Sequence, residues 1–162
     1  MSGRLEGKVA FITGAGRGQG RSHAIRLAEE GADIIAIDVL EDYPTVRYAM
    51  SSGAELDETV RAVEALGRRI VAAKADVREV TTLRDALDAG VAELGRLDIV
   101  CANAGIYTVQ GWDEVTPQVW QDTIDTNLTG VWNTMVVDLA GQLRDAARAG
   151  GIAAAIPQRG PA

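Results

Sequence analysis

Cysteine and histidine occur once each in the 162 residues, as Cys101 and His23. That pair cannot supply a Cys/His zinc site, and a lone cysteine cannot close an intramolecular disulfide, so no metal is expected and a reducing, cytoplasmic setting suits the chain. Aromatic residues are few, one Phe with three Trp and three Tyr. Positive charge is in deficit: 16 Lys and Arg against 23 Asp and Glu leave a net charge of −7. This argues against nucleic-acid phosphates or an anionic membrane surface as partners and leaves a small molecule. No apolar run approaches the roughly 18 residues needed to cross a bilayer. The N-terminal MSGRLEGKVAFITG meets glycine too early for a signal peptide. Repeats and low-complexity tracts are also missing. What the chain has is 47% hydrophobic residues, enough for one core and one domain, and 18 glycines, which point to close backbone approaches.

Strand and helix signals alternate. Lys8 to Gly14 is a short β-prone run stopped by glycine, and after Gly18 a helix carries Ala24, Ile25, Leu27 and Ala28 up to Gly31. Ala32 to Asp38 is a second strand closing on an acid. Asp42 to Gly53 has no period and reads as a loop or insertion. Leu56, Val60, Val63 and Leu66 then share one helical face, Arg68 to Asp76 forms strand three, and Thr81 or Thr82 is expected to cap a helix with Leu83, Leu87, Val91 and Leu94 on its apolar face. Leu97 to Ala102 is strand four. Connections of this length force parallel pairing with right-handed crossovers and helices on both faces, a doubly wound α/β domain. Thr116 and Pro117 open a last helix whose apolar positions are Val119, Ile124, Leu128, Val131, Met135, Leu139 and Leu143. It would exceed about 25 residues, so a kink is expected near Gly130 or Gly141. Gly150 and Gly151 end it, and Ile152 to Ile156 reads as a weak strand or a loose tail.

Chemistry concentrates at the first turn. Thr13-Gly14-Ala15-Gly16-Arg17-Gly18-Gln19-Gly20 lies between a strand and a helix, where glycines admit a diphosphate to the free N–H groups of the helix start. Asp38 follows Gly20 by 18 residues, at the end of strand two, where an acid accepts hydrogen bonds from the adenosine ribose hydroxyls. Alone, Asp38 would read as a turn former or solvated carboxylate. His23 reads as a surface or packing residue rather than a base, Cys101 as a buried small hydrophobe rather than a nucleophile, and Trp112, Trp120 and Trp132 as packing or a subunit contact rather than a ligand platform.

Four motifs in order carry a resemblance: Thr13-Gly14-x-x-x-Gly18-x-Gly20, Asp76-Val77, Asn103-Ala104-Gly105 and Asn127. Together they resemble the short-chain dehydrogenase/reductases, and GRGQGRSHAIRLAEEGADIIAIDV, the 43–53 insertion and ALGRRIVAAKADVR look like the mycofactocin-coupled, carveol dehydrogenase-like subgroup. The resemblance runs from about Gly7 to Thr134. It implies a Rossmann-type sheet, here incomplete at about four to five strands, and an NAD-dependent oxidoreductase that interconverts alcohols and ketones. It divides the chain into an NAD-binding domain, 1–134, and a divergent C-terminal helix and tail, 135–162. By this resemblance Gly14, Arg17, Gly18, Gln19 and Gly20 hold the diphosphate side and Asp38 takes the adenosine ribose. Asp76 and Val77 meet the adenine, and Asn103, Ala104 and Gly105 line the nicotinamide ribose. A 2′-phosphate would be repelled by Asp38, so NAD is expected over NADP.

The family's proton-transfer machinery is a serine, a tyrosine with a lysine four residues later, and an asparagine. Only the asparagine is present, as Asn127. Four residues after Tyr43, Tyr48 and Tyr107 stand Arg47, Ser52 and Gly111; no serine follows Ser52 and no lysine follows Lys74. The pattern is that of a chain shortened or shifted in frame before the catalytic tyrosine. Two other readings stand beside it: a catalytically silent NAD-binding or interaction module, and a methyltransferase, which also uses a glycine-rich first turn. The Thr13 start and the Asn103-Ala104-Gly105 turn speak against the last. Family members are homo-oligomers, and self-association or aggregation is expected here.

Overall fold

A computed structural model describes residues 3–111 and 113–137 of the chain. The expected strand at Ile152 to Ile156, the second kink candidate Gly141, the apolar positions Leu139 and Leu143, and Trp112 lie outside those residues. The elements follow the expected alternation: β1 (Val9–Thr13), α1 (Gly18–Glu29), β2 (Asp33–Asp38), α2 (Gly53–Glu64), β3 (Ile70–Lys74), α3 (Val80–Leu94), β4 (Ile99–Cys101) and α4 (Pro117–Ile124). The four strands are parallel in the order β3-β2-β1-β4, with Ile12 paired to Ala36 on one side and Cys101 on the other. The incomplete doubly wound α/β sheet expected from the alternation is therefore what the described residues form.

Burial follows from topology. Every residue of β1 and β2 is buried, since a parallel strand covered on both faces needs no polar alternation. Phe11, Ile35 and Ile37 face a cluster with Leu83, Leu87 and Leu94 of α3, whereas Ile12, Ile34 and Ala36 face Ala24 and Ala28 of α1 and Leu56 and Val63 of α2. Close approach replaces bulk in places. A Cβ on Gly90 would sit 2.7 Å from Ile35 Cγ1, so glycine lets α3 lie against the sheet.

Three expectations change. Gly53, inside the segment read as a loop, begins α2, and Ser52 caps it, closing a capping box in which its hydroxyl accepts from Glu55 N and Glu55 accepts from Ser52 N. Leu66 falls beyond that helix and is exposed. The N-cap of α3 is Glu79 without a side-chain bond; Thr81 and Thr82 are inside the helix, and Thr82 Oγ1 donates back to the Glu79 carbonyl.

The last helix is not uniform. Thr116 caps it as expected, its hydroxyl accepting from Val119 N, and Pro117 stands in the first turn. At Asp125–Thr129 the chain makes a π turn, and α-helical residues resume at 130–137. The irregularity expected near Gly130 is thus an added residue just before it. Leu128 and Met135, assigned to the apolar face, are exposed together with Trp120 and Trp132, while Asp122, Thr126, Asn133, Thr134 and Val137 turn inward. Asn133 Nδ2 donates to the Val77 carbonyl at 2.9 Å, which ties this polar inner face to the chain leaving β3.

Candidate functional site

The site is built where the C-terminal ends of β1, β2 and β4 meet the start of α1. Gly14 and Gly18 take positive φ, +68° and +56°. A Cβ on Gly14 would stand 2.9 Å from Ala104 Cα, whereas open space surrounds the Cβ position of Gly18. The turn is therefore packed shut on the β4 side and open above Gly18. Arg17 is the N-cap of α1 without a side-chain bond, and the first turn carries no acid. The N–H groups of Gly18, Gln19 and Gly20 have no intrahelical acceptor and form a site for an anion.

Distant side chains fix the shape of the turn. Arg21 Nη2 donates to the Gly16 and Glu55 carbonyls, each at 2.6 Å, and Thr59 Oγ1 donates to the Ala15 carbonyl at 2.9 Å. These bonds satisfy the carbonyls of Ala15 and Gly16 from behind, leaving the N–H groups of Gly18, Gln19 and Gly20 for a ligand. On the other side Asn103 Nδ2 donates to the Thr13 carbonyl at 2.9 Å, and Thr13 Oγ1 accepts from Asn103 N and Ala104 N, both at 3.0 Å.

At the end of β2, Asp38 is 7% exposed. Its Oδ2 accepts from Gly16 N at 2.9 Å, and its Oδ1 accepts from the Ser51 hydroxyl and from Leu40 N at 3.5 Å. After β3, Asp76 accepts from the Arg78 guanidinium at 2.7 Å and from the Tyr43 hydroxyl at 3.2 Å, and Arg78 lies 4.0 Å over the Tyr43 ring. Burial pushes the Asp76 carboxyl up, but the bonds from Arg78 outweigh it and hold the group below the usual range. Burial first, and then the Asp76 charge, push the Tyr43 phenol well up. Neither group is poised for proton transfer near neutral pH.

A cavity of about 600 Å³ gathers these parts. Gly14, Arg17, Gly18, Gln19, Gly20, Asp38, Asp76, Val77, Asn103, Ala104 and Gly105 all line it, so the eleven binding candidates come together. Asn127 does not line the cavity; it sits in the π turn and brackets Ile106, which does, by accepting from Ile106 N at 2.9 Å and donating to the Ile106 carbonyl at 2.7 Å. The sequence reading missed Tyr48, Met50 and Ser51, which also line the cavity from the unpatterned insertion. Tyr48 stacks on Tyr107 at 5.1 Å between ring centroids, its hydroxyl accepts from Tyr107 N at 3.2 Å, and Arg17 stands 5.7 Å above its ring. The insertion thus bridges the glycine turn and the loop after β4.

His23 is exposed. Cys101, expected to be a buried small hydrophobe, is half-buried, because β4 has a neighbour strand on one side alone among the described residues. Among those residues no cluster of His, Cys, Asp and Glu could hold a metal, and no helix is long and apolar enough to cross a membrane.

The sequence profile of the short chain dehydrogenases matches residues 8–153, and the chain belongs to that family. It is 53% identical over 135 residues to a (−)-trans-carveol dehydrogenase of Rhodococcus erythropolis, a match covering 83% of this chain and 49% of the relative. A Mycobacterium avium carveol dehydrogenase in complex with NAD superposes with a TM-score of 0.82 at 53% identity, covering 85% of this chain and 50% of that one. A short chain dehydrogenase from Mycobacterium paratuberculosis bound to NAD gives 0.81 at 57%, covering 83% and 50%. The chain spans about half the length of the curated relatives it matches.

Proposed function

We propose that this chain is the NAD-binding portion of an alcohol dehydrogenase of the short-chain type, whose whole protein interconverts small alcohols and ketones. One observation carries the reading: an uncapped helix start and a buried carboxylate at the end of β2, the two groups that recognise the diphosphate and the adenosine ribose, open into one cavity. The NAD-bound relatives support it.

In this reading the Gly14, Gly18 and Gly20 backbone receives the diphosphate with Arg17 and Gln19 beside it, and Asp38 accepts from the ribose. Asp76 and Val77 border the adenine, and Asn103, Ala104 and Gly105 border the nicotinamide ribose. The binding unit is 1–134. Bound NAD supplies the hydride acceptor. The chain's own contribution is to hold it and to seat the loop at Ile106 through Asn127. It does not supply the family's tyrosine with a lysine four residues later: its two lysines are Lys8, paired with Asp98, and Lys74, paired with Glu41, and neither follows a tyrosine at that spacing. That pairing favours a second reading for the polypeptide by itself, a dinucleotide-binding module without turnover.

Calorimetric titration with NAD and with S-adenosylmethionine tests the assignment. One saturable site for NAD and none for S-adenosylmethionine is the expected result. Binding of S-adenosylmethionine alone would return the glycine turn to a methyltransferase.

A further inference from the structure

We infer that Ser51 is a positioning residue for nucleotide recognition, holding the Asp38 carboxylate in the orientation that reads the adenosine ribose. The inference rests on the NAD reading above. Ser51 is 6% exposed, lies 13 positions after Asp38 at the end of the insertion, and gives its hydroxyl hydrogen to Asp38 Oδ1. On the other oxygen, Gly16 N–H donates at 2.9 Å. The carboxylate is therefore gripped from both sides, by the glycine turn and by the insertion. An ionised carboxylate has about four acceptor positions. Ser51 and Leu40 fill those of Oδ1, and Gly16 takes one on Oδ2, which leaves one on Oδ2 for a ligand hydroxyl.

Packing reinforces the grip. A Cβ on Gly16 would stand 2.9 Å from Ser51 Oγ and 3.0 Å from Asp38 Oδ2, so the three residues are in contact and glycine is the residue that lets them close. Ser51 also precedes Ser52, the N-cap of α2, so the start of that helix fixes its backbone. Without the Ser51 hydroxyl, Asp38 keeps its charge, the Gly16 bond and the longer Leu40 N contact at 3.5 Å, but loses the hold of the insertion on Oδ1. The cost then falls on the ligand group that Asp38 reads, not on the diphosphate.

The test is calorimetry on the full chain and on Ser51→Ala with two ligands, NAD and its analogue lacking the adenosine 2′-hydroxyl. Ser51→Ala is expected to weaken NAD by about 5- to 10-fold, in line with one hydrogen bond, and to leave the deoxy analogue within about twofold. Equal weakening of both ligands, or of neither, overturns the role of Ser51 while leaving the NAD reading intact. Failure of the unmodified chain to bind NAD overturns both. Should Ser51→Ala not fold, Ser51→Cys keeps the volume with a much weaker donor and must give the same NAD-selective loss.

Discussion

Asn127 holds both backbone polar groups of Ile106, the N–H at 2.9 Å and the carbonyl at 2.7 Å, from the middle of a π turn. Ile106 is 4% exposed, but Asn127 is exposed and both bonds are half-buried, so water can replace the amide in part. Asn127→Ala should cost about 0.5–1.5 kcal/mol of unfolding free energy by removing two half-buried hydrogen bonds. Urea unfolding measures it. Asn127→Asp should not rescue the loss, because a carboxylate cannot donate to the Ile106 carbonyl.

The last helix and the insertion differ from the strands in what the sequence could tell. Strand identity was legible because Val9–Thr13 and Asp33–Asp38 are short apolar runs bounded by glycine and acid, and the glycine turn was legible because Gly14, Gly18 and Gly20 have a fixed spacing between a strand and a helix. The face of the last helix was not. Leu128 and Met135 recur at helical spacing and read as a core stripe, yet both are exposed, and the buried stripe is Val119, Asp122, Thr126, Asn133 and Val137, three of which are polar and carry no apolar signal. Ser51, Tyr48 and Tyr43 escaped for another reason: the insertion has no period, and each of these side chains finds its partner far along the chain. Local pattern carries no trace of such contacts.

Asp98 should govern part of the acid stability. Burial pushes its carboxyl up, but bonds from the Arg96 guanidinium, Val9 N and Lys8 outweigh this and hold it at about 2. A carboxyl depressed in the folded chain stabilises it above the unfolded value of about 3.9, and that contribution is lost as pH falls through about 2. Asp98→Asn is therefore expected to lower stability at pH 7 by about 1–3 kcal/mol, and to flatten the decline between about pH 4 and pH 2. Urea midpoints at pH 7, 4, 3 and 2 for both chains check the sign.

Nucleotide choice follows from Asp38. A 2′-phosphate on the adenosine ribose would face this carboxylate, and the ribose hydrogen bonds would be lost as well, so NAD should bind about 10-fold or more tightly than NADP. Asp38→Ala should narrow that gap. Calorimetry with both nucleotides on both chains gives the ratio, and equal binding by the unmodified chain would contradict the assignment.

Self-association is expected of the isolated polypeptide. Among the described residues β4 pairs with β1 alone, and Trp120, Leu128, Trp132 and Met135 form an exposed apolar stripe on the last helix. A strand edge without a partner and an exposed apolar stripe each recruit other chains. Light scattering across a concentration series should show mass rising with concentration, and Trp132→Glu should reduce the rise.

In the proposed function the dinucleotide side of the site is in place while the proton-transfer side is not. Tyr107 stacks on Tyr48 and is 64% exposed, and both lysines are held in ion pairs elsewhere. A positioned base contributes about 10²- to 10⁴-fold to alcohol oxidation, and Asn127, an amide, cannot act as one. The direct measurement is NADH absorbance after carveol or a simple secondary alcohol is added to the NAD-saturated 162-residue chain. No NADH above the protein-free rate is the predicted result; sustained turnover that survives Tyr107→Phe would contradict it.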